Sequence, residues 1–405
     1  MSFNGNFETT RNAFYAGGKL VMNDTEWNFV TSPFRSDYHE IYHEEVKTKT
    51  NCLYSVLLKY FLNNNANTNK YFFRNLNAPD SSFDTNYNFN YHLFRREGKE
   101  KLDSVILLLH GLNERNWDKY LPWVREISNK TGKAVLMFPL AFHMERAPKE
   151  WSNPRLMFEV CKERMALLPG LTESSFANVA LSTRLQFAPE RFLVSGLQTL
   201  NDLTKLIMEI KSGNNAHIKS NAVIDFFGYS IGSFLGEILL MSDPSGQLSD
   251  SRLFVFCGGS TLDNTDPVSK AIMDSQASES MNDYYNNFDE NIKREEALSD
   301  LVSKLDSIGA AFRMMVNSGN LRSFRDMLFH ELKSRLMVVN LLQDRVFHPE
   351  GTKLTYTGKS ADCVKMTDFP YQYSHENPFP VSAKDKEQVD RSFEGVFSMA
   401  GAFLM

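Results

Sequence analysis

Cysteine is scarce in this sequence. The four residues, Cys52, Cys161, Cys257 and Cys363, stand far apart in 405 positions and form no CxxC pair. That spacing excludes a disulfide framework and reads as reduced, mostly buried thiols in a reducing compartment, so a cytoplasmic protein is expected. Long uninterrupted apolar runs are missing too. The most apolar window, residues 222–241, carries Asp225, Glu237 and three glycines, which suits a buried strand and helix and not a membrane span. The first ten residues have neither the basic nor the apolar stretch of a signal peptide, and none is expected. Charge of one sign is not in excess. Lys and Arg number 44 against 49 Asp and Glu, a net −5, which argues against a general nucleic-acid or anionic-membrane binder. There is no internal repeat and no long linker.

What is present is material for a large core. Apolar residues make up 42% of the chain and phenylalanine alone numbers 32, enough for large cores or pockets. The length allows one large domain or two to three small ones. Residues 1–89 are mixed and polar, with an Asn-rich stretch from Asn63 to Asn90, and read as an N-terminal extension. From residue 90 to 405, short apolar runs alternate with helical patterns. Val105–Leu109, Ala134–Phe138, Ala222–Phe227, Leu253–Cys257, Leu336–Leu342 and Cys363–Met366 read as strands. Trp117–Lys130, Leu197–Ile210, Ile231–Met241 and Val389–Phe403 read as helices. This alternation predicts an α/β fold: a mostly parallel sheet with helices on both faces. Residues 148–195 and 261–334 exceed a minimal alternation and are expected to form a helical cap over a pocket.

Gly228-Tyr229-Ser230-Ile231-Gly232 lies between one of these strands and the helix that follows it. Strand, sharp turn with serine at its tip, then helix is the layout of a nucleophile elbow, and the glycines are needed where strand and helix pass closely. A serine hydroxyl is a poor nucleophile without a base, and the base needs an acid to orient it. Asp344 follows the strand ending at Leu342, at the edge where α/β sheets place their sites. His375 precedes the last helix. Ser230, Asp344 and His375 are therefore the expected catalytic residues, with Asp362 or Asp368 the substitute acids and His348 the substitute base. The N–H groups of Ile231 and Leu112, the latter in the loop His110-Gly111-Leu112, are the expected oxyanion donors. Gly111 allows that loop to fold back, and His110 is expected to hold it by a hydrogen bond. Gly111, Tyr229, His143 and Arg146 are weaker candidates for substrate contacts.

At this point the chain resembles the α/β-hydrolase superfamily over residues 90 to 405. Within it, Pro139-Leu140-Ala141-Phe142-His143-Met144, the elbow and Phe256-Cys257-Gly258-Gly259 are similar to a bacterial group of hydrolase-like proteins. The resemblance implies an α/β-hydrolase fold with helical cap insertions and a serine mechanism without a cofactor, but no substrate. The chain departs from a minimal member in its N-terminal extension and in the long gap from His110 to Ser230. The expected activity is cleavage of a small ester or thioester, with an apolar acyl part, through an acyl-enzyme. A non-catalytic hydrolase-fold binding protein is the first alternative, and a zinc-dependent hydrolase using His39, Glu40 and His43 is the second. His39-Glu40-Ile41-Tyr42-His43 is an HExxH string, which on a helix sets two imidazoles one turn apart for zinc. It has no evident third ligand and stands outside the sheet pattern, so no metal site is expected there.

Overall fold

Along the central strands, successive side chains point into two different cores. Val105, Leu107 and Leu109 join one apolar cluster, while Ile106 and Leu108 join another, and all five are wholly buried. The same division runs through Leu253 and Val255 against Phe254 and Phe256, and through Leu336 and Val338 against Val339 and Leu341. A period of two with both faces apolar is the signature of a strand covered on both sides. In the computed structural model, residues 3–37, 76, 78–98, 100–294, 299, 302, 308–381 and 384–405 are described. The HExxH string at residues 39–43 and Cys52 lie outside them.

Among the described residues nine strands form one sheet: β1 (Leu20–Met22), β2 (Thr25–Arg35), β3 (Asn88–Arg96), β4 (Leu102–Leu109), β5 (Ala134–Met137), β6 (Ile218–Tyr229), β7 (Leu253–Phe256), β8 (Leu336–Leu341) and β9 (Val364–Thr367). Their spatial order is β1-β2-β3-β5-β4-β6-β7-β8-β9. Pairings from β5 onward through β9 are parallel, and those of β1 with β2, β2 with β3 and β3 with β5 are antiparallel. Helices Phe3–Ala16, Leu121–Thr131 and Lys386–Leu404 contribute to one core; Glu190–Lys211, Ile231–Ser242 and Ile308–Val316 contribute to the other. The helix Leu121–Thr131 stops at Gly132, whose φ of 70° and N–H bond to Ser128 O make a left-handed cap. The expected strands and helices are present, with ends displaced by up to seven residues in either direction. This is the α/β-hydrolase fold.

Residues 3–35, read as an extension, add a helix and two strands to that same sheet, and β3 crosses the 89/90 boundary. Trp27 stacks on Phe94 with centroids 5.1 Å apart. β2 alternates irregularly between partly buried and exposed positions, so its apolar period is weak in the sequence. It also holds Pro33, which a strand tolerates where its N–H is not needed by a neighbour.

Strand order decides where a site can form. From β4 the chain moves outward to β5, then crosses back to β6 on the other side of β4. The crevice beyond the carboxyl ends of β4 and β6 is thus a topological switch point. Leu109 and Gly228 are directly paired there, which puts the loop from His110 beside the elbow.

Candidate active site

Ser230 has φ 57° and ψ −124°, a conformation costing on the order of 1–3 kcal/mol for a non-glycine residue. Its N–H bonds to Phe256 O at 3.1 Å, so the neighbouring strand holds the strained turn. The glycines are required by contact. A Cβ on Gly228 would lie 2.6 Å from Ser233 Cα, and one on Gly232 would lie 2.1 Å from Leu109 O. Strand and helix pass too closely for any side chain at either point.

The turn delivers the Ser230 hydroxyl to His375, whose Nε2 is 2.8 Å from Oγ. Nδ1 of the same ring is 2.8 Å from Asp344 Oδ2. Asp344 Oδ1 accepts from the N–H groups of Val346 and Phe347, both at 2.9 Å, leaving Oδ2 aimed at the histidine. With Nδ1–H donating to the carboxylate, Nε2 is free to accept from the serine. Ser230, Asp344 and His375 are 3%, 2% and 4% exposed, so the chain of hydrogen bonds runs through an interior of low dielectric. The substitutes are elsewhere. Asp362, Asp368 and His348 are exposed, and Asp368 binds Gln343 and Tyr373.

The imidazole of His375 lies nearly parallel to two neighbouring rings. Tyr229 lies 5.5 Å away at 15° and Phe347 lies 5.6 Å away at 21°. The Tyr229 hydroxyl donates to His375 O. Tyr229, 1% exposed, therefore supports the histidine more than it lines open space, although its ring borders the cleft described below. Gly111 packs against it; a Cβ there would be 3.0 Å from Tyr229 Cε1.

The loop after β4 is tied down by the amides on either side of Leu112. Gly111 N donates to Tyr120 Oη at 2.9 Å, and Asn113 N donates to His143 Nε2 at 2.8 Å. Between them the Leu112 N–H has no hydrogen bond among the described residues, nor has that of Ile231, the first residue of the helix after Ser230. Two buried histidines keep this arrangement. His110 accepts from Leu140 N on Nε2 and donates from Nδ1 to Gly111 O; His143 accepts on Nε2 and donates from Nδ1 to Ala141 O. Both imidazoles are neutral, because burial lowers His143 to about 4 and pushes His110 well down. His143 thus positions the loop. Arg146 is fully buried, paired with Asp202 at 2.8 Å, bound to Asn86 O and Pro139 O and packed on Phe89. It lies inside the protein with its donors taken up there and lines none of the cavities at the serine, which corrects the expectation of a substrate contact.

Sequence reasoning did not reach Asn113, Tyr120 or Arg115. Asn113 sits at φ 62° and its side chain donates to Ala177 O and Ala271 O, joining the loop to residues from both long insertions. Only its position just after His110-Gly111-Leu112 offered a signal.

Ser230 opens on two spaces. One is an apolar cavity of about 610 Å³ lined by Leu112, Phe192, Ile231, Ile272, Met281 and Phe347 among others. The other is a polar cleft of about 780 Å³ reaching His375, Glu114, Arg115 and Lys119. Residues of 148–195 and 261–334 pack on each other beside them. Arg164 grips Asp274 with two bonds of 2.7 and 2.9 Å, and Asn178 Nδ2 donates to Ser269 O at 2.8 Å.

No curated protein matches the sequence. Among solved structures, it is similar to a thermostable esterase from Pseudomonas putida ECU1011 (10% identity, 78% of this chain and 80% of that one, TM-score 0.43). It is likewise similar to a Pyrobaculum calidifontis esterase (12%, 78% and 82%, TM-score 0.36) and to the Pyrococcus horikoshii acylaminoacyl peptidase (11%, 78% and 40%, TM-score 0.41). A family model matches residues 1–405 from end to end, and the chain belongs to that family, described as a family of unknown function, DUF6051.

Proposed function

We propose that this protein is a serine hydrolase that cleaves a carboxylic ester or thioester through an acyl-enzyme. The observation that carries the reading is the unbroken path from Ser230 Oγ through His375 to Asp344, with both links at 2.8 Å. Ser230 Oγ attacks the carbonyl carbon while His375 Nε2 takes its proton. Asp344 holds the imidazole in the required tautomer and stabilises the imidazolium. Negative charge grows on the carbonyl oxygen, where the N–H groups of Leu112 and Ile231 receive it at the positive end of a helix. His375 then gives its proton to the departing alkoxide or thiolate. Water, activated by the same base, attacks the acyl-enzyme and releases the acid.

The apolar cavity suits the acyl part. His375 borders the polar cleft and not that cavity, so the group it protonates leaves through the cleft. We read residues 148–195 and 261–334 as the cap over both spaces, since Phe192 and Met281 come from these segments. The three described cysteines are free and buried, which suits a reducing compartment such as the cytoplasm. Among the described residues no helix is long and apolar enough to cross a membrane.

The test is labelling with a fluorophosphonate, read by intact mass, on wild type and Ser230→Ala. One adduct on wild type that the variant lacks is expected. Folded wild-type protein that takes no adduct would count against an activated serine and in favour of a binding protein.

A further inference from the structure

A third cavity, of about 500 Å³, adjoins the loop after β4 and has no part in the steps above. Arg115, Arg184 and Arg191 line it, and no Asp or Glu does among the described residues. Arg184 and Arg191 are 4% and 6% exposed. Both are balanced by a single carboxylate: Arg184 pairs with Asp80, and Arg191 Nε lies 3.3 Å from the same oxygen. Arg191 Nη1 is buried without a hydrogen-bond partner among the described residues, and so is Arg115 Nε. Arg115 has no ion pair among the described residues; its Nη2 rests on Asn113 Oδ1 at 2.8 Å. Burial lowers Arg115 to about 10 and Arg184 to about 9, so both remain cations at neutral pH.

Buried cationic donors left unmet are costly, and such groups are ordinarily paired. Arg184 and Arg191 also donate to Leu76 O and Ala78 O, but among the described residues one carboxylate stands against the three guanidiniums around this cavity. Arginine's planar fork suits a group with two or three oxygens.

The cavity's position says which part of a substrate enters it. Leu112 lines all three spaces, and Arg115 lines both this cavity and the polar cleft. The cleft is the side that His375 borders. The arginine cavity shares Asn113 and Arg115 with that cleft and Phe192 with the apolar cavity, so its polar side adjoins the space that the group protonated by His375 enters. Resting on the acyl-transfer reading above, we propose that the substrate's leaving group carries an oxyanion, carboxylate or sulfonate in kind, that sits among Arg115, Arg184 and Arg191. The neutral acyl part occupies the apolar cavity.

Matched thioesters test this. S-butyryl-3-mercaptopropionate and S-butyryl-2-mercaptoethanesulfonate carry the anion on the thiol; S-propyl thiobutyrate is neutral; the S-propyl monothioester of glutarate carries a carboxylate on the acyl side. We expect kcat/KM to favour an anionic thiol over the neutral one by about tenfold or more, as charge-assisted bonds in a buried site allow. The better of the two anions identifies the headgroup. Arg191→Gln should bring the preference close to parity. Because Arg191 also neutralises Asp80, Arg115→Gln is the second variant and should reduce the preference without that complication. Binding is read separately by calorimetry on Ser230→Ala, which leaves S-butyryl-3-mercaptopropionate intact; affinity should fall with added salt and with Arg115→Gln. No binding at millimolar concentration, no preference, or a preference confined to the acyl-side carboxylate overturns the proposal. A serine that takes the fluorophosphonate in a protein without the preference sinks this inference alone. Salt-sensitive binding to Ser230→Ala with no labelling of wild type sustains the anion site and sinks the acyl-transfer reading.

Discussion

Tyr229 lies almost flat against His375, 15° out of parallel with ring centroids 5.5 Å apart, and its hydroxyl donates to the backbone carbonyl of His375. The residue before the elbow serine is thus the support of the residue that faces that serine. Sequence neighbours 229 and 230 meet both ends of one histidine.

Tyr229→Phe keeps the ring and removes the donor. The His375 carbonyl is left unmet in the interior, which costs about 1–3 kcal/mol. We expect a lower Tm and a kcat reduced roughly tenfold with KM little changed, since the acyl cavity is untouched and a small misplacement of the base is costly. Fluorophosphonate labelling should slow by a similar factor. Wild-type kcat together with unchanged Tm would show that the hydroxyl positions nothing.

Ser230, His375 and Asp344 are expected to behave as one unit. Ser230→Ala and His375→Ala should each lower kcat by roughly a thousandfold or more, and the double variant should cost little beyond either single change. Losses that multiply in the double variant would mean the two residues act independently. Asp344→Asn keeps the shape but removes the charge and changes what Nδ1 meets, so a loss on the order of 10³–10⁴ in kcat is expected. A mild effect there would leave the orientation of His375 to the Tyr229 hydroxyl and the two rings beside it.

Much of this was legible in the chain. Strands such as Val105–Leu109 are covered on both faces, so their sequence is an unbroken apolar run that has few other readings. The elbow was legible because its glycines answer to atoms in contact: Leu109 O leaves no room at Gly232. Asp344 and His375, which the fold brings to Ser230, were singled out by chain order and by their places after a strand and before the last helix. The N-terminal strands were not found, because β2 is only partly buried and its exposed positions break the period. His143 and Arg146 were seen as polar residues at a strand edge, and only the folded partners separate a loop anchor from a buried ion pair. The arginine cavity gathers positions 115, 184 and 191 from separate elements, which no local pattern reveals.

His143 gives the protein an acid limit. Its imidazole is neutral in the fold at about 4, mainly through burial, while an unfolded histidine titrates near 6.5. Between those values the unfolded chain binds more protons, so stability is fully present above about 6.5 and declines as pH falls toward 4. The shift corresponds to roughly 3 kcal/mol at most. His143→Gln keeps an acceptor for Asn113 N–H and removes the titration. Melting curves from pH 4 to 7 should show a smaller acid loss in the variant than in wild type. Equal slopes would place the acid sensitivity elsewhere, His110 being the next group to replace.

Glu237 acts with the opposite sign. It lies in the helix after the elbow, wholly buried, with Tyr356 donating to one carboxyl oxygen and, among the described residues, no hydrogen-bond partner for the other. Burial raises it to about 8 from an ordinary 4.5, so the folded protein holds a proton that the unfolded chain releases. Stability is therefore greatest below about 4.5 as far as this group is concerned, and it is lost progressively as pH rises through about 8. Glu237→Gln is close in shape, can accept from Tyr356 and never ionises. The variant should match wild type near pH 5 and exceed it at pH 8 by roughly 2–4 kcal/mol. Chemical denaturation at the two pH values measures this directly. A variant less stable than wild type at pH 8 would mean that Glu237 is ionised in the fold and that Tyr356 stabilises its charge.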